Sequence, residues 1–99
     1  MKIEVRFCKR GDLKYISHLD IVRLFQRSVR RARLPVALSQ GFSPHYRISF
    51  GKALKLGVES EDEGVLFKME KWVGPEEFKK KMNEKLPEGV RILEAKSSC

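Results

Sequence analysis

The chain has 99 residues and a formal net charge of +8, with 41% apolar and 34% charged residues. This length suits one domain, residues 1–99, with a single modest core. No apolar run approaches the roughly 20 residues that a membrane-spanning helix needs. Two cysteines are too few for a small disulfide-stapled scaffold. We therefore expect a cytoplasmic protein without a membrane segment.

The positive charge is concentrated in the first half of the chain. Residues 1–55 contain 13 Lys or Arg against 3 acidic residues, a balance of +10, whereas residues 56–99 contain 8 against 10, a balance of −2. A one-sided positive field attracts polyanions and speeds their encounter. The distribution favours a surface for nucleic acid, and the alternative is charge that serves only solubility.

The first element in chain order is a predicted strand over residues 2–8. Ile3, Val5 and Phe7 alternate with polar residues, and Cys8 falls on the polar side. A period of two is typical of a half-buried strand. Residues 9–12 have the composition of a turn that ends it.

A helix is predicted over residues 18–33. Ser17 is a suitable N-cap, and Asp20 stands three residues later in a capping-box-like position. The helix should stop before Leu34 and Pro35, because the residue that precedes a proline avoids helical angles.

The two sides of this predicted helix differ in character. Its buried arc, at 100° per residue, comprises Ile21, Leu24, Phe25, Ser28, Val29 and Ala32. The opposite side carries Arg23, Arg27 and Arg30. The helix is therefore expected to pack on a sheet and to present a row of guanidinium groups to solvent.

The rest of the chain adds strands and one more helix. The predicted segments are a short strand over residues 36–38, an irregular loop over 39–46, a strand over 47–50, a solvated acidic loop over 51–64 and a strand over 65–72. Pro75 opens a second helix with Phe78, Met82 and Leu86 as its buried stripe, and residues 90–94 form a last strand.

This order of elements predicts an α+β fold. We expect a ferredoxin-like split βαβ arrangement, an antiparallel sheet with two helices on one face. Residues 36–50 form either one strand or two under this interpretation.

Two features suggest contacts with RNA. Arginine forks onto phosphate oxygens through paired hydrogen bonds, so the row Arg23, Arg27 and Arg30 could follow a phosphate backbone. The alternative is a solvated helix face with local ion pairs, although the helix offers only Asp20 as an acidic partner.

The second feature is the segment around residues 39–50. Its hydrogen-bonding and cationic residues Gln40, Ser43, His45 and Arg47 suit the edges of unstacked RNA bases. We expect the aromatic residues of this segment, Phe42 and Phe50, to be core plugs.

His18 and His45 are the only histidines and are the candidate catalytic residues if the chain is an enzyme. A histidine pair can act as base and acid in RNA cleavage, since histidine exchanges protons near neutral pH. The alternatives are a wholly exposed helix start for His18 and a loop residue that contacts ligand without chemistry for His45. No metal-ligand spacing and no phosphate-binding glycine loop is present, so we expect neither a metal nor a cofactor.

Three blocks of sequence carry a resemblance to a known family. The first comprises Phe7, Lys9, Gly11, Asp12, Leu13, Ser17, His18, Leu19 and Asp20. The second comprises Ser39, Gln40, Gly41, Phe42, Ser43, Pro44, His45, Ile48, Ser49 and Phe50, and the third Ala53, Leu54, Leu56, Gly57, Val58, Glu59 and Ser60. With these blocks the chain resembles the bacterial radical-SAM-linked proteins, a family of undefined function fused to, or encoded beside, a radical SAM protein. Tyr46 and Lys55 stand where the family pattern usually has proline.

The resemblance implies a radical SAM partner and a chain that corresponds to the leading domain of longer family members. This chain lacks the CxxxCxxC cysteines that would hold an iron–sulfur cluster. The leading hypothesis is an RNA-binding accessory module that acts with that partner. The alternatives are an RNA-cleaving or RNA-modifying enzyme that uses His18 and His45, and a protein-interaction module whose basic helix docks on an acidic patch. The oligomeric state stays open.

Overall fold

The computed structural model describes residues 1–51 and 60–98. Its elements are β1 (Lys2–Lys9), a 3-10 helix (Gly11–Tyr15), α1 (His18–Ala32), β2 (Ile48–Phe50), β3 (Ser60–Lys68), α2 (Pro75–Lys85) and β4 (Val90–Ser98). Within these residues the strands form one sheet in the order β2-β3-β1-β4, with every neighbouring pair antiparallel. This α+β architecture is consistent with the predicted ferredoxin-like fold.

Both helices pack on the same face of the sheet. Phe25 of α1 contacts Phe7 of β1, with ring centroids 4.9 Å apart, and also stacks with Phe67 of β3. Phe78 of α2 meets the same Phe67 edge-on at 4.8 Å. These four rings are fully buried, so the core lies between the two helices and one side of the sheet.

Local sequence sets the ends of α1. The Ser17 hydroxyl accepts a hydrogen bond from the Asp20 N–H at 3.2 Å, which is the predicted N-cap. At the other end Arg33 adopts a left-handed conformation with φ 55°, and the Leu34 N–H reaches back to the Val29 carbonyl at 3.3 Å. This is the Schellman pattern of a helix end, and it ends the helix one residue before the predicted boundary.

The predicted strand over residues 36–38 is wrong. Two isolated bridges occur there, Val36 with Met69 and Leu38 with Tyr46. The Ala37 N–H donates to the Lys68 carbonyl at 2.8 Å, whereas the Ala37 carbonyl accepts from Arg47 at 2.8 Å. The segment divides its backbone hydrogen bonds between Lys68 on one side and Arg47 on the other. It therefore forms a continuous β-ladder with neither.

The predicted acidic loop over residues 51–64 is wrong at its end, because β3 begins at Ser60. Ser60 pairs with Lys9, and Glu63, which is 8% exposed, pairs with Phe7. The central strand β1 extends to Lys9 and supplies backbone partners that the polarity pattern does not reveal. Residues 52–59 of the predicted loop lie outside the described residues.

The end of β1 departs from simple alternation. Cys8 is 5% exposed and Lys9 is fully buried, although simple alternation predicts Cys8 on the polar side. The register shifts between Arg6 and Phe7 against β4 and between Phe7 and Lys9 against β3. Such bulges re-aim side chains, and here they turn Lys9 inward, where its Nζ donates to the Lys14 carbonyl at 3.3 Å.

Candidate nucleic-acid interface

The exposed side of α1 carries the arginine row. Arg23, Arg27 and Arg30 are all exposed. The first and last lie seven residues apart, or about 10 Å along the helix axis. Ile21, Phe25 and Val29 on the opposite side are fully buried. The row therefore projects from a helix that the core holds firmly in place.

Local ion pairs account for only one of these guanidinium groups. Arg23 lies 3.6 Å from Asp20, and both side chains are more than half exposed, so the pair contributes little. Among the carboxylates of residues 1–51 and 60–98, none forms an ion pair with Arg27 or Arg30. Two of the three arginines are thus free to meet an external anion.

A loop over residues 39–45 is attached to α1 beside this row. The Gln26 amide Nε2 donates to the Tyr46 carbonyl at 2.8 Å, and the Tyr46 N–H donates to Gln26 Oε1 at 2.7 Å. At 100° per residue, Gln26 lies about 60° from Arg23 and about 40° from Arg30 around the helix. The end of the loop is therefore held against the side of α1 that adjoins the arginine row.

Hydrogen bonds between Ser39 and His45 close the base of the loop. The Ser39 N–H donates to the His45 carbonyl at 2.8 Å, and the His45 N–H donates to Ser39 Oγ at 3.2 Å. The His45 Nδ1 lies 3.3 Å from Ser39 Oγ and 3.4 Å from the Ser43 carbonyl. Because Nδ1 is engaged within the loop, Nε2 is the ring nitrogen left for an external partner.

The predicted base-contacting residues occupy this loop and its exit. Gln40, Ser43, His45 and Arg47 are all exposed. The backbone of Arg47 is fixed on both sides, since its N–H donates to Ala37 and its carbonyl accepts from the Lys68 N–H at 3.1 Å. A fixed backbone with an exposed side chain is suitable for ligand contact.

The two aromatic residues of the segment have different environments. Phe50 is half-buried and packs edge-on against Phe7 and Phe25, with centroids at 6.0 and 5.3 Å, as predicted for a core plug. The same prediction is wrong for Phe42, which has a relative exposure of 108%. Phe42 follows Gly41, whose φ is +136°, and its neighbours Gln40 and Ser43 are also exposed.

The two histidines belong to different elements of the structure. His18 is half-buried instead of wholly exposed, and its ring lies 5.2 Å from that of Phe50 at a steep angle. His45 adjoins Tyr46, which Gln26 holds eight residues further along the helix, a rise of about 12 Å. His18 thus lies at the start of α1 against Phe50, whereas His45 lies in the loop that is tied to the middle of this helix.

The uncovered face of the sheet has a mixed character. It carries Lys2, Glu4 and Arg6 from β1, and Arg6 Nε lies 3.5 Å from Asp62 Oδ1. RNA-binding sheets of this architecture stack bases on exposed strand aromatics. None of the aromatic residues in the described strands lies on this face, so the helix side is the better candidate surface.

Residues 1–51 and 60–98 contain neither a candidate metal site nor a candidate membrane-spanning helix. No group of three or more His, Cys, Asp or Glu side chains is placed to hold a metal ion. No helix in this part of the chain has the length and apolar character to cross a membrane.

Comparison with known proteins places the chain in one family. No curated protein gives a match to it. A family described as "Uncharacterized protein conserved in bacteria (DUF2344)" matches residues 2–98, a span that includes every strand and helix described above. The chain therefore belongs to this bacterial family.

Proposed function

We propose that the chain is an RNA-binding accessory module that grips phosphates with Arg23, Arg27 and Arg30. The observation that carries the proposal is the exposed arginine row on α1, of which Arg27 and Arg30 have no acidic partner within the described residues. A guanidinium group matches the geometry of two phosphate oxygens and stays charged at every physiological pH.

The loop beside the row supplies the second half of the proposed surface. Gln40, Ser43, His45 and Arg47 offer donors and acceptors for base edges and ribose hydroxyls. Gln26 fixes the position of the loop relative to the arginines through its two hydrogen bonds to Tyr46. Phosphate contacts from the helix would set the register, and loop contacts would read the bases.

A radical SAM enzyme is the proposed partner. Support comes from the sequence blocks around His18 and His45 that resemble radical-SAM-linked proteins. The chain has only Cys8 and Cys99, which cannot supply the three cysteines of a radical SAM cluster. In this proposal the chain presents RNA, and the partner performs the chemistry. His18 packs against Phe50 at the start of α1 and His45 lies in the loop tied to the middle of this helix, and this placement is a reason to prefer this role over cleavage by the two histidines.

The test compares two charge reversals that change net charge equally. One variant replaces Arg23, Arg27 and Arg30 with glutamate, and the control replaces Lys79, Lys80 and Lys85 of α2 with glutamate. Fluorescence anisotropy with a labelled 12-nucleotide RNA at fixed salt should show binding abolished in the first variant and largely kept in the second. Unchanged binding in the arginine variant, or equal losses in both, would overturn the proposal.

A competition experiment separates RNA from protein as the ligand of this surface. The purified radical SAM partner is bound to the chain, and unlabelled RNA is added in excess. Simultaneous binding of both, with the arginine variant defective only for RNA, supports the proposal. Displacement of the partner by RNA would contradict it, because a module that presents RNA must hold both. An arginine variant that loses the partner but keeps RNA would instead indicate a docking surface for protein.

A further inference from the structure

Phe42 is the most exposed large apolar side chain of the described residues, at 108% of its reference area. Exposed aromatic surface is unfavourable in water, and within residues 1–51 and 60–98 no side chain covers this ring. Trp72, another exposed aromatic residue, differs because it is 74% exposed and packs beside Gly74. The position of Phe42 therefore needs an explanation other than stability.

The loop presents Phe42 on a closed base. Ser39 and His45 are joined by hydrogen bonds at 2.8 and 3.2 Å, and Tyr46 is tied to α1. Gly41, with φ at +136°, has a backbone conformation that a residue with a side chain rarely adopts. The tip is thus only a few residues long, and Phe42 cannot lie more than about 10 Å from its anchored base.

The polar residues near Phe42 can bind two parts of a nucleotide, the edge of the base and the phosphate. Gln40 and Ser43 next to it can pair with the edge of a base, and His45 offers Nε2 for the same purpose. Arg30 lies beside Gln26 on the flank where the loop is anchored, and can take the phosphate. These residues leave the flat face of the base without a partner. An aromatic side chain such as Phe42 binds this face by stacking.

We infer that Phe42 is a stacking platform for an unpaired base, so that the ligand of this surface is single-stranded RNA. This inference rests on the proposed RNA-binding function and specifies its substrate class. A paired base inside a helix already has its faces covered by neighbouring bases, whereas an unpaired base can stack on a protein ring. Phe42 therefore selects loops and single strands over duplexes.

The first measurement compares Phe42→Ala with Trp72→Ala, its matched control. Anisotropy is recorded with a 12-nucleotide oligouridine and with a 12-base-pair RNA duplex. Phe42→Ala should weaken binding of the single strand by roughly tenfold, because the stacking of one base on the aromatic ring is lost. It should leave duplex binding unchanged, and Trp72→Ala should leave both unchanged. Phe42 contacts no core residue, so its replacement should not alter the melting temperature.

A spectroscopic experiment reports stacking directly. The chain has one tryptophan, Trp72, so a Trp72→Phe, Phe42→Trp variant carries its only indole at the loop tip. Addition of oligouridine should quench the fluorescence of this indole, and addition of the duplex should leave it unchanged. A probe that does not respond to the single strand, while anisotropy shows binding, would overturn the inference.

The outcomes distinguish this inference from the function on which it rests. If the arginine reversal abolishes binding but Phe42→Ala weakens strand and duplex equally or not at all, RNA binding stands and the stacking role is wrong. If the arginine reversal has no effect, the proposed function itself is wrong. A different result would favour membrane contact and overturn the inference. In that case the parent protein binds anionic phosphatidylglycerol vesicles, Phe42→Ala does not, and the two have the same affinity for oligouridine.

Discussion

The side-chain amide of Gln26 and the backbone of Tyr46 form a reciprocal pair of hydrogen bonds at 2.8 and 2.7 Å. In this pair the amide uses one N–H donor and its carbonyl acceptor, as a peptide unit of a neighbouring strand would. Through this pair, a helix that holds the arginine row also sets the position of the loop that carries Phe42. The two halves of the proposed surface are therefore coupled through Gln26.

Gln26→Glu should release the loop. A carboxylate cannot donate to the Tyr46 carbonyl, so one hydrogen bond is lost and two acceptors face each other. We expect the free energy of unfolding to fall by about 1–3 kcal/mol, measured by urea denaturation, and RNA affinity to fall with it. Gln40→Glu adds the same charge at an exposed loop position and should leave stability unchanged; an equal loss of stability in both variants would contradict the anchoring role of Gln26.

Arg27→Ala should change the salt dependence of RNA binding in a defined way. Each phosphate contact on a single strand contributes about −0.7 to the slope of log K against log salt, so the slope should become shallower by about 0.7. Phe42→Ala should reduce affinity while leaving this slope unchanged, because stacking releases no counterions. Anisotropy titrations from low to moderate salt measure both, and identical slopes in parent and Arg27→Ala would count against a phosphate contact.

Gly89→Ala should destabilise the fold strongly. Gly89 has φ at +102°, and an added Cβ would come within 2.9 Å of the Arg10 carbonyl and 3.0 Å of a Leu13 methyl carbon. Backbone strain alone costs about 1–3 kcal/mol, and the clash adds to it. Gly64→Ala is the control, because its Cβ would meet no atom within 4 Å; thermal melts in which both variants match the parent would refute the expectation.

Asn83→Ala should loosen the junction between α2 and β4. The Asn83 Nδ2 donates to the Ile92 carbonyl at 3.1 Å, and the Ile92 N–H donates to Asn83 Oδ1 at 2.8 Å. Loss of both bonds should lower the free energy of unfolding by about 1–2 kcal/mol and speed hydrogen exchange of the Ile92 amide. Asn83→Asp keeps the acceptor, so its Ile92 amide should exchange more slowly than in Asn83→Ala; the reverse order would be inconsistent with this contact.

The sequence predicts the elements whose own periodicity is strong. α1 combines a cap at Ser17 with a clean apolar arc, and α2 combines Pro75 with a stripe at Phe78 and Met82. Their positions follow from local geometry, because a helix makes its hydrogen bonds within itself. The alternation of buried and exposed residues in β1 can likewise be predicted from the sequence as far as Phe7, where the bulges begin.

Elements that depend on distant partners could not be predicted in the same way. Ser60 and Glu63 belong to β3 because β1 lies opposite them, and a polar sequence gives no sign of that neighbour. Residues 36–38 have strand-like composition but lack a continuous ladder. Cys8 and Lys9 are buried because two register shifts occur at the end of β1, and such shifts are a property of pairs of strands.

The arginine side of α1 was predictable because charge and helical period agree. The anchoring role of Gln26 was not, since its partner Tyr46 lies 20 residues away. The exposure of Phe42 had one available signal, its place between Gly41 and the Ser43–Pro44 pair outside any periodic segment. Apolar character alone led to the wrong expectation of burial.

The central position of β1 has a consequence for synthesis on the ribosome. β1 emerges first, yet its two partners are β3 and β4, and its pairing with β4 extends to Ser98. Until β3 and β4 have emerged, Ile3, Val5 and Phe7 have no sheet to join, and long-range pairing of this kind is slow. The domain must therefore complete its fold after nearly all of its residues have left the exit tunnel, and truncated products would expose an unpaired apolar strand.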